Sequence, residues 1–194
     1  MGEVMRMMEI ELVVPSEVHE GAMVDFLREH REAGEEQIHG GALIETMSYS
    51  DWLEWGRRTL QWECSLAGDE VPKIRENLEE DRWVPSDTFF AFRKSDGRLI
   101  GIIDFRRRLN DILLAFSGQV GYGVRPSERG KGYGGQMLGL ALVEGRKSGL
   151  EEPVMISCYK ENEPSRRTIL SQGGRLDREF INLANGKWVQ VFTL

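Results

Sequence analysis

A chain of 194 residues with 40% hydrophobic content can bury one good core, so a single domain spanning 1–194 is expected. The net charge of −7 opposes general binding to nucleic acid or an anionic membrane, no apolar run approaches the ~20 residues of a membrane span, and no signal peptide opens the chain, so a cytoplasmic protein is expected. Two cysteines (Cys64, Cys158) and three scattered histidines (His19, His30, His39) give neither a disulfide framework nor metal-ligand spacing, so no metal is expected.

Glu9 to Val14 alternates like a strand. Pro15-Ser16 then starts a helix with Val18, Ala22, Phe26 and Leu27 on one face, and Gly34 stops it. Residues 40–50 read as a flexible, glycine-bracketed loop. After it, Asp51 caps a helix carrying Trp52, Trp55, Thr59 and Trp62 as one stripe. Large aromatics at this spacing read as core, the alternative being the lining of a substrate pocket. Residues 67–84 mix charge with one proline and few apolar anchors, which predicts a partly helical, mobile connection. Strands over 88–93 and 99–105 flank the hairpin signal Asp96-Gly97. Residues 110–118 break them from a strand over 119–124, and Asn185-Gly186 joins two more strands over 178–183 and 188–192.

The most informative stretch runs from Val124 to Leu138, where a strand feeds a glycine-rich turn (Gly130, Gly132, Gly134, Gly135) that opens into a helix with Met137, Leu138, Ala141 and Leu142 at helical spacing. Glycines let a ligand approach the backbone, and the first helical amides offer unpaired N–H groups and a positive dipole end, a cradle for a pyrophosphate. Gly130, Gly132 and Gly135 satisfy G-x-G-x-x-G, but the next strand ends Ser157-Cys158-Tyr159 without the acidic residue a dinucleotide fold needs. A Walker loop fails as well, because Gly130-Lys131 is followed by Gly132. The basic runs 106–108 and 125–131 stand out in an acidic chain as places for polyphosphate.

Arg129-x-x-Gly132-x-Gly134, behind Val124-Arg125-Pro126, resembles the acyl-CoA signature [RQ]-x-x-G-x-[GA] of the GNAT N-acetyltransferase superfamily. Asn162-Glu163-Pro164-Ser165, followed by Gly173-Gly174, is similar to that family's N-x-x-[AS]-x(7)-G pattern. The resemblance is firm over residues 87–194 and looser over 9–86, and Gly121-Tyr122-Gly123 with Ser86 to Phe90 is similar to a bacterial branch of predicted acetyltransferases. It implies an α/β fold with about seven strands and about four helices, in which the fourth and fifth strands are adjacent and parallel yet splay apart to take the pantetheine arm. It also implies acetyl-CoA as cosubstrate, held by Tyr122, Gly123, Val124, Arg129, Gly130, Lys131, Gly132, Tyr133, Gly134, Gly135, Asn162 and Ser165, with Val124 offering a backbone N–H to the oxyanion. Asn162 alone reads as a helix cap.

Acetyl transfer to an amine needs a neutral nucleophile, a stabilised oxyanion and a proton for the leaving thiolate. The fourth strand carries no carboxylate; Tyr122 holds its centre, and Asp104 on the third strand is the nearest alternative. The family's usual acid would fall at Ile169, which leaves Tyr159, Cys158 or water. A small-molecule or peptide-borne primary amine is expected as acceptor, drawn to Glu35, Glu36 and Glu45 beside the 34–50 loop. The alternative is a CoA-binding regulatory module without turnover. A homodimer stands among the options for assembly.

Overall fold

The computed structural model describes residues 8–65, 84–109, 113–114 and 117–194, with the backbone alone over 58–65. The expectations for Thr59, Trp62, Cys64, the 67–83 connection and most of the 110–118 break lie outside the described residues. In chain order the elements are β1 (Ile10–Val13), a 3-10 turn (Glu17–His19), α1 (Glu20–Glu32), α2 (Tyr49–Ser65), β2 (Ser86–Arg93), β3 (Leu99–Arg106) and β4 (Val120–Val124). A second 3-10 turn (Pro126–Glu128) is followed by α3 (Tyr133–Lys147), β5 (Met155–Tyr159), α4 (Glu163–Ser171), β6 (Arg175–Asn182) and β7 (Lys187–Thr193).

Two local readings change. Ser48, not Asp51, caps α2: its Oγ accepts the Asp51 amide at 3.2 Å, and its hydroxyl donates back to Asp51 Oδ2, so Asp51 is the third residue of the helix. In α1 the buried stripe is Met23, Phe26 and His30, while Val18 is exposed. Val18 sits in the tighter 3-10 turn, where three residues per turn throw it out of phase with the helix that follows.

The seven strands divide into a four-stranded antiparallel sheet, β1-β2-β3-β4, and a three-stranded one, β5-β7-β6. β3 is apolar and buried along almost its whole length because both faces of its sheet are covered. Phe90, Leu99 and Ile102 pack against α1, α2 and the loop between them. Ala91, Ile103 and Phe105 pack under Met137, Leu138 and Ala141 of α3. Trp52 is core: it stacks on Phe90 with 5.9 Å between centroids, and its indole N–H donates to the Gly41 carbonyl at 2.8 Å. The pocket-lining alternative for this residue falls away.

Among the described residues the two sheets meet at one end. Gly118 bridges Ile156, the Gln119 amide donates to the Met155 carbonyl at 2.6 Å, and the buried Gln119 side chain completes the join. Its Oε1 accepts the Met155 amide at 2.8 Å, and its Nε2 donates to the Glu151 carbonyl at 2.8 Å. A single amide side chain thus supplies hydrogen bonds that a strand ladder would otherwise make. Gln119→Ala strands the buried Met155 amide and frees the Glu151 carbonyl, so it is expected to cost about 1–3 kcal/mol in urea denaturation. A loss within experimental error would show that water replaces the side chain.

Candidate active site

Beyond Gln119, β4 and β5 part and leave a cleft of about 400 Å³. Strand register decides what faces it. The Arg106 amide bonds to Gln119 and the Arg125 amide to Ile100, which fixes the closely bonded pairs of β3 and β4. The N–H and C=O groups of Val120, Tyr122 and Val124 therefore point away from β3, into the gap. On the other side, reciprocal bonds between Val154 and Leu194 turn the backbone of Ser157 and the N–H of Tyr159 the same way. These are two facing backbone edges with room between them for an extended ligand.

A segment of the α1–α2 loop lies across β4. A Cβ on Gly40 would come within 2.7 Å of the Gly121 carbonyl oxygen, and one on Gly123 within 2.8 Å of the His39 carbonyl oxygen. Glycine is required on both partners for this approach. The loop is held rather than flexible, since Ile38, Gly40, Gly41 and Ile44 are buried. Ala42 and Leu43 beside them take left-handed φ values of 45° and 69°, uncommon for residues with a side chain, and both line the cleft.

Gly132 takes φ +85° just before α3, and a Cβ there would meet nothing within 4 Å. The conformation disfavours side chains, and the space above it is open. The amides of Tyr133, Gly134 and Gly135 find no acceptor among the described residues. Tyr133 contributes its amide alone, because its ring is buried in the core. Gly134 and Gly135 face α4, where Thr168 and Ser171 pack closely on them.

The basic residues around this loop are already engaged, which corrects their reading as a free polyphosphate patch. Arg125 is buried; its Nε donates to the Leu99 carbonyl and its Nη1 reaches Asp25 and Glu29, each at 2.8 Å. Arg129 grips Glu35 through both Nη atoms and donates from Nε to the Val124 carbonyl at 2.9 Å. Lys131 pairs with the buried Glu128, Arg106 with Asp104, and Arg107 with Asp87. Glu35 is likewise spoken for: the Arg129 guanidinium, against burial and with His30 assisting at 2.8 Å, holds its carboxyl down at about 2. Glu35 is therefore a brace of the loop, not a lure for a cationic acceptor, and Glu36 does not line the cleft.

The candidate catalytic groups fall on two sides of β4. Asp104 lies over Gly121, with Oδ1 in the space a Cβ would fill, 2.6 Å from it. Only 2% of Asp104 is exposed, and Oδ1 has no hydrogen-bond partner, whereas Oδ2 meets Arg106 at 3.2 Å. Burial raises its pKa, and Arg106, the Asp104 and Gly121 amides and His39 oppose the shift. Tyr122 packs toward α4, its hydroxyl 2.8 Å from Ser165 Oγ; burial raises its pKa, against that hydrogen bond. Burial also raises the thiol of Cys158. Tyr159 accepts from Asn185 Nδ2 at 2.9 Å and lies under Lys187. Asn162 caps α4, its Oδ1 accepting the Ser165 amide at 3.1 Å, and also lines the cleft. Ile169 is core.

The model of the acetyltransferase (GNAT) family matches residues 51–173. The chain belongs to the GNAT family. No curated protein matches it in sequence. Among solved structures it is similar to RimL, a ribosomal L7/L12 α-N-protein acetyltransferase in complex with coenzyme A, with TM-score 0.63 and 14% identity over 96% of this chain and 93% of that one. It is also similar to the ribosomal-protein-S5-alanine acetyltransferase of Vibrio fischeri, with TM-score 0.59 and 13% identity over 96% and 92%. A third is the microcin C7 self-immunity acetyltransferase MccE in complex with acetyl-CoA and AMP, with TM-score 0.58 and 16% identity over 96% and 92%. At these identities the likeness carries the fold alone.

The GNAT cosubstrate fits the residues present: an open glycine turn and free helix amides lie beside the Tyr122 ring, and strand groups of β4 and β5 other than the Val124 carbonyl face the cleft unpaired. Among the described residues no three metal-ligating side chains gather, and no helix is long and apolar enough to cross a membrane. Sequence reasoning missed Gln119, whose partners lie more than 30 residues away. It also missed the depth of Asp104, although an acid inside the apolar run of β3 was a visible signal.

Gly132→Val should weaken coenzyme A binding about tenfold or more by calorimetry while thermal melting shows an intact fold; Arg129→Ala, whose guanidinium serves Glu35 and Val124, should do less. Unchanged affinity in the valine variant would overturn the cradle. The braces also respond to acid. Burial works against the charge of Glu29, but the Ser127 amide and Arg125 hold its pKa at about 2, as Arg129 holds that of Glu35, both below an ordinary 4.5. Lowered folded pKa values stabilise above the ordinary value and lose that stabilisation as pH falls toward about 2. Denaturation midpoints measured down this range should drop, and less steeply in Glu29→Gln.

Proposed function

We propose that the protein is an acetyl-CoA-dependent N-acetyltransferase that acetylates a primary amine by direct attack in a ternary complex, with the whole chain as one cytoplasmic catalytic domain. The observation that carries this reading is the pair of unpaired strand edges opening beside the free amides of α3. Acetyl-CoA supplies the activated acyl group as a thioester. The turn at 130–132 and the free amides of Tyr133, Gly134 and Gly135 hold the pyrophosphate, and the Tyr122 backbone and the Val124 N–H, with Asn162 and Ser165 opposite, follow the path of the arm. The Val124 N–H, turned into the cleft, donates to the developing oxyanion.

Two sides of β4 divide the proton traffic. Asp104, on the face covered by the α1–α2 loop, takes the proton that the amine nitrogen loses as the N–C bond forms. Tyr122, on the α4 face, donates to the thiolate released when the C–S bond breaks; its raised pKa keeps it protonated at neutral pH, and Ser165 orients its hydroxyl. Tyr159 is the substitute acid from β5. RimL and the Vibrio fischeri enzyme are named for ribosomal-protein acceptors and MccE for self immunity, so acceptors of either size belong to this fold. The second reading, a CoA-binding module without turnover, is favoured by one observation: Ile169 is buried where the resemblance puts the acid.

Thiol release across an amine panel separates the two. Asp104→Asn should lower turnover ~10²-fold or more and remove the acid limb of the pH profile, because a carboxyl with a raised pKa becomes a base only above that value. Tyr122→Phe should lower turnover comparably, and Tyr159→Phe less. Wild-type rates and profiles in all three would leave transfer to water and positioning alone.

A further inference from the structure

The acceptor side of the cleft holds two carboxylates whose charges are only partly matched. Asp104 Oδ1 and Glu45 Oε2 are both buried without a hydrogen-bond partner, and both residues line the cleft. Arg106 is the one arginine or lysine among the described lining residues, and it is committed to Asp104 Oδ2 at 3.2 Å and the Gly118 carbonyl at 3.4 Å; His39 and the Asp104 and Gly121 amides also act on Asp104. A buried carboxylate oxygen left unpaired is costly unless a ligand supplies the donor. Glu45 is carried on the loop that follows the left-handed pair Ala42-Leu43, and this strained turn is pinned on either side by buried Gly41 and Ile44. The fold therefore spends backbone strain to place a lone acid at the cleft wall.

We propose that the acceptor is a dibasic amine: its reacting nitrogen lies at Asp104, and its second, protonated nitrogen is held by Glu45. This rests on the N-acetyltransferase reading and adds the acceptor class to it. The division is chemical. The attacking nitrogen must be neutral and gives up a proton, which suits Asp104, 2.6 Å from the position of a Gly121 Cβ and with its charge disfavoured by burial. The second nitrogen keeps its charge throughout and completes a charge-assisted pair with Glu45. Glu45 is thus a specificity residue that touches the substrate away from the reacting atoms.

The test uses the full chain and a series of α,ω-diaminoalkanes from diaminopropane to diaminohexane, each against the monoamine of equal length and the corresponding ω-amino acid. Calorimetry with coenzyme A present should show at least one diamine binding about tenfold or more tighter than its monoamine, and Glu45→Gln should abolish the preference. Glu45→Gln should melt no lower than the wild type, because no internal partner of the carboxylate is lost; a clear drop would assign Glu45 a structural role and overturn the proposal. Equal binding of diamines and monoamines, a preference surviving in Glu45→Gln, or tightest binding of the amino acids would also overturn it. Diamine-selective binding without thiol release would instead defeat the acetyltransferase reading and leave the cation site standing. Thiol release that is fastest with monoamines would do the reverse.

Discussion

Backbone hydrogen bonds that stay inside a sheet everywhere else are deliberately withheld between β4 and β5, and that withholding organises the molecule. An unpaired strand edge is normally a liability, inviting a neighbouring chain to complete it. Here the edges face each other across a gap fixed at one end by Gln119, which is buried and bonded to Met155 and Glu151. Were the ladder to continue past Gln119, the cleft would close. Were the join absent, the two sheets would share only side-chain packing. The side chain is long enough to bridge and short enough to stop the zipper after one step.

The second organising device is the ionic web that ties the glycine turn to distant elements. Arg125 joins β4 to α1 through Asp25 and Glu29 and lies over the Phe26 ring at 5.4 Å. Glu29 also accepts the Ser127 amide, and Glu128 gathers Arg93, Arg98 and Lys131. The buried members have more than one partner each, Arg125 two acids and Glu128 three cations, so the web shares its charge and tolerates the loss of a single link. A turn built around left-handed glycines has little stiffness of its own, and the web supplies it.

What was legible in the sequence was what the chain writes locally. The glycine turn, the strand before it and the helix after it are contiguous, and the helical cap at Asn162 acts over three residues. The hairpins at Asp96-Gly97 and Asn185-Gly186 are of the same kind. What stayed hidden is made by contacts between remote segments: Arg125 meets residues 96 and 100 positions away, and Arg129 meets Glu35 across 94. Composition suggests a basic patch at 125–131, and only the fold shows that acids from α1 and its following loop pair with Arg125 and Arg129, while Lys131 turns to Glu128 within the run. The Trp52 stripe follows the same logic, since its spacing is helical whether the ring meets core or ligand, and only Phe90 beneath it decides.

The crossing of Asp104 over Gly121 has a consequence for how this family branch can vary. The carboxylate oxygen occupies the volume that any other residue at 121 would need for its first side-chain carbon. The two positions are therefore linked, and the backbone of Gly40, whose amide nitrogen a Cβ at 121 would meet at 3.2 Å, adds a second constraint that shortening the acid does not lift. Relatives carrying the acid are expected to carry the glycine with it.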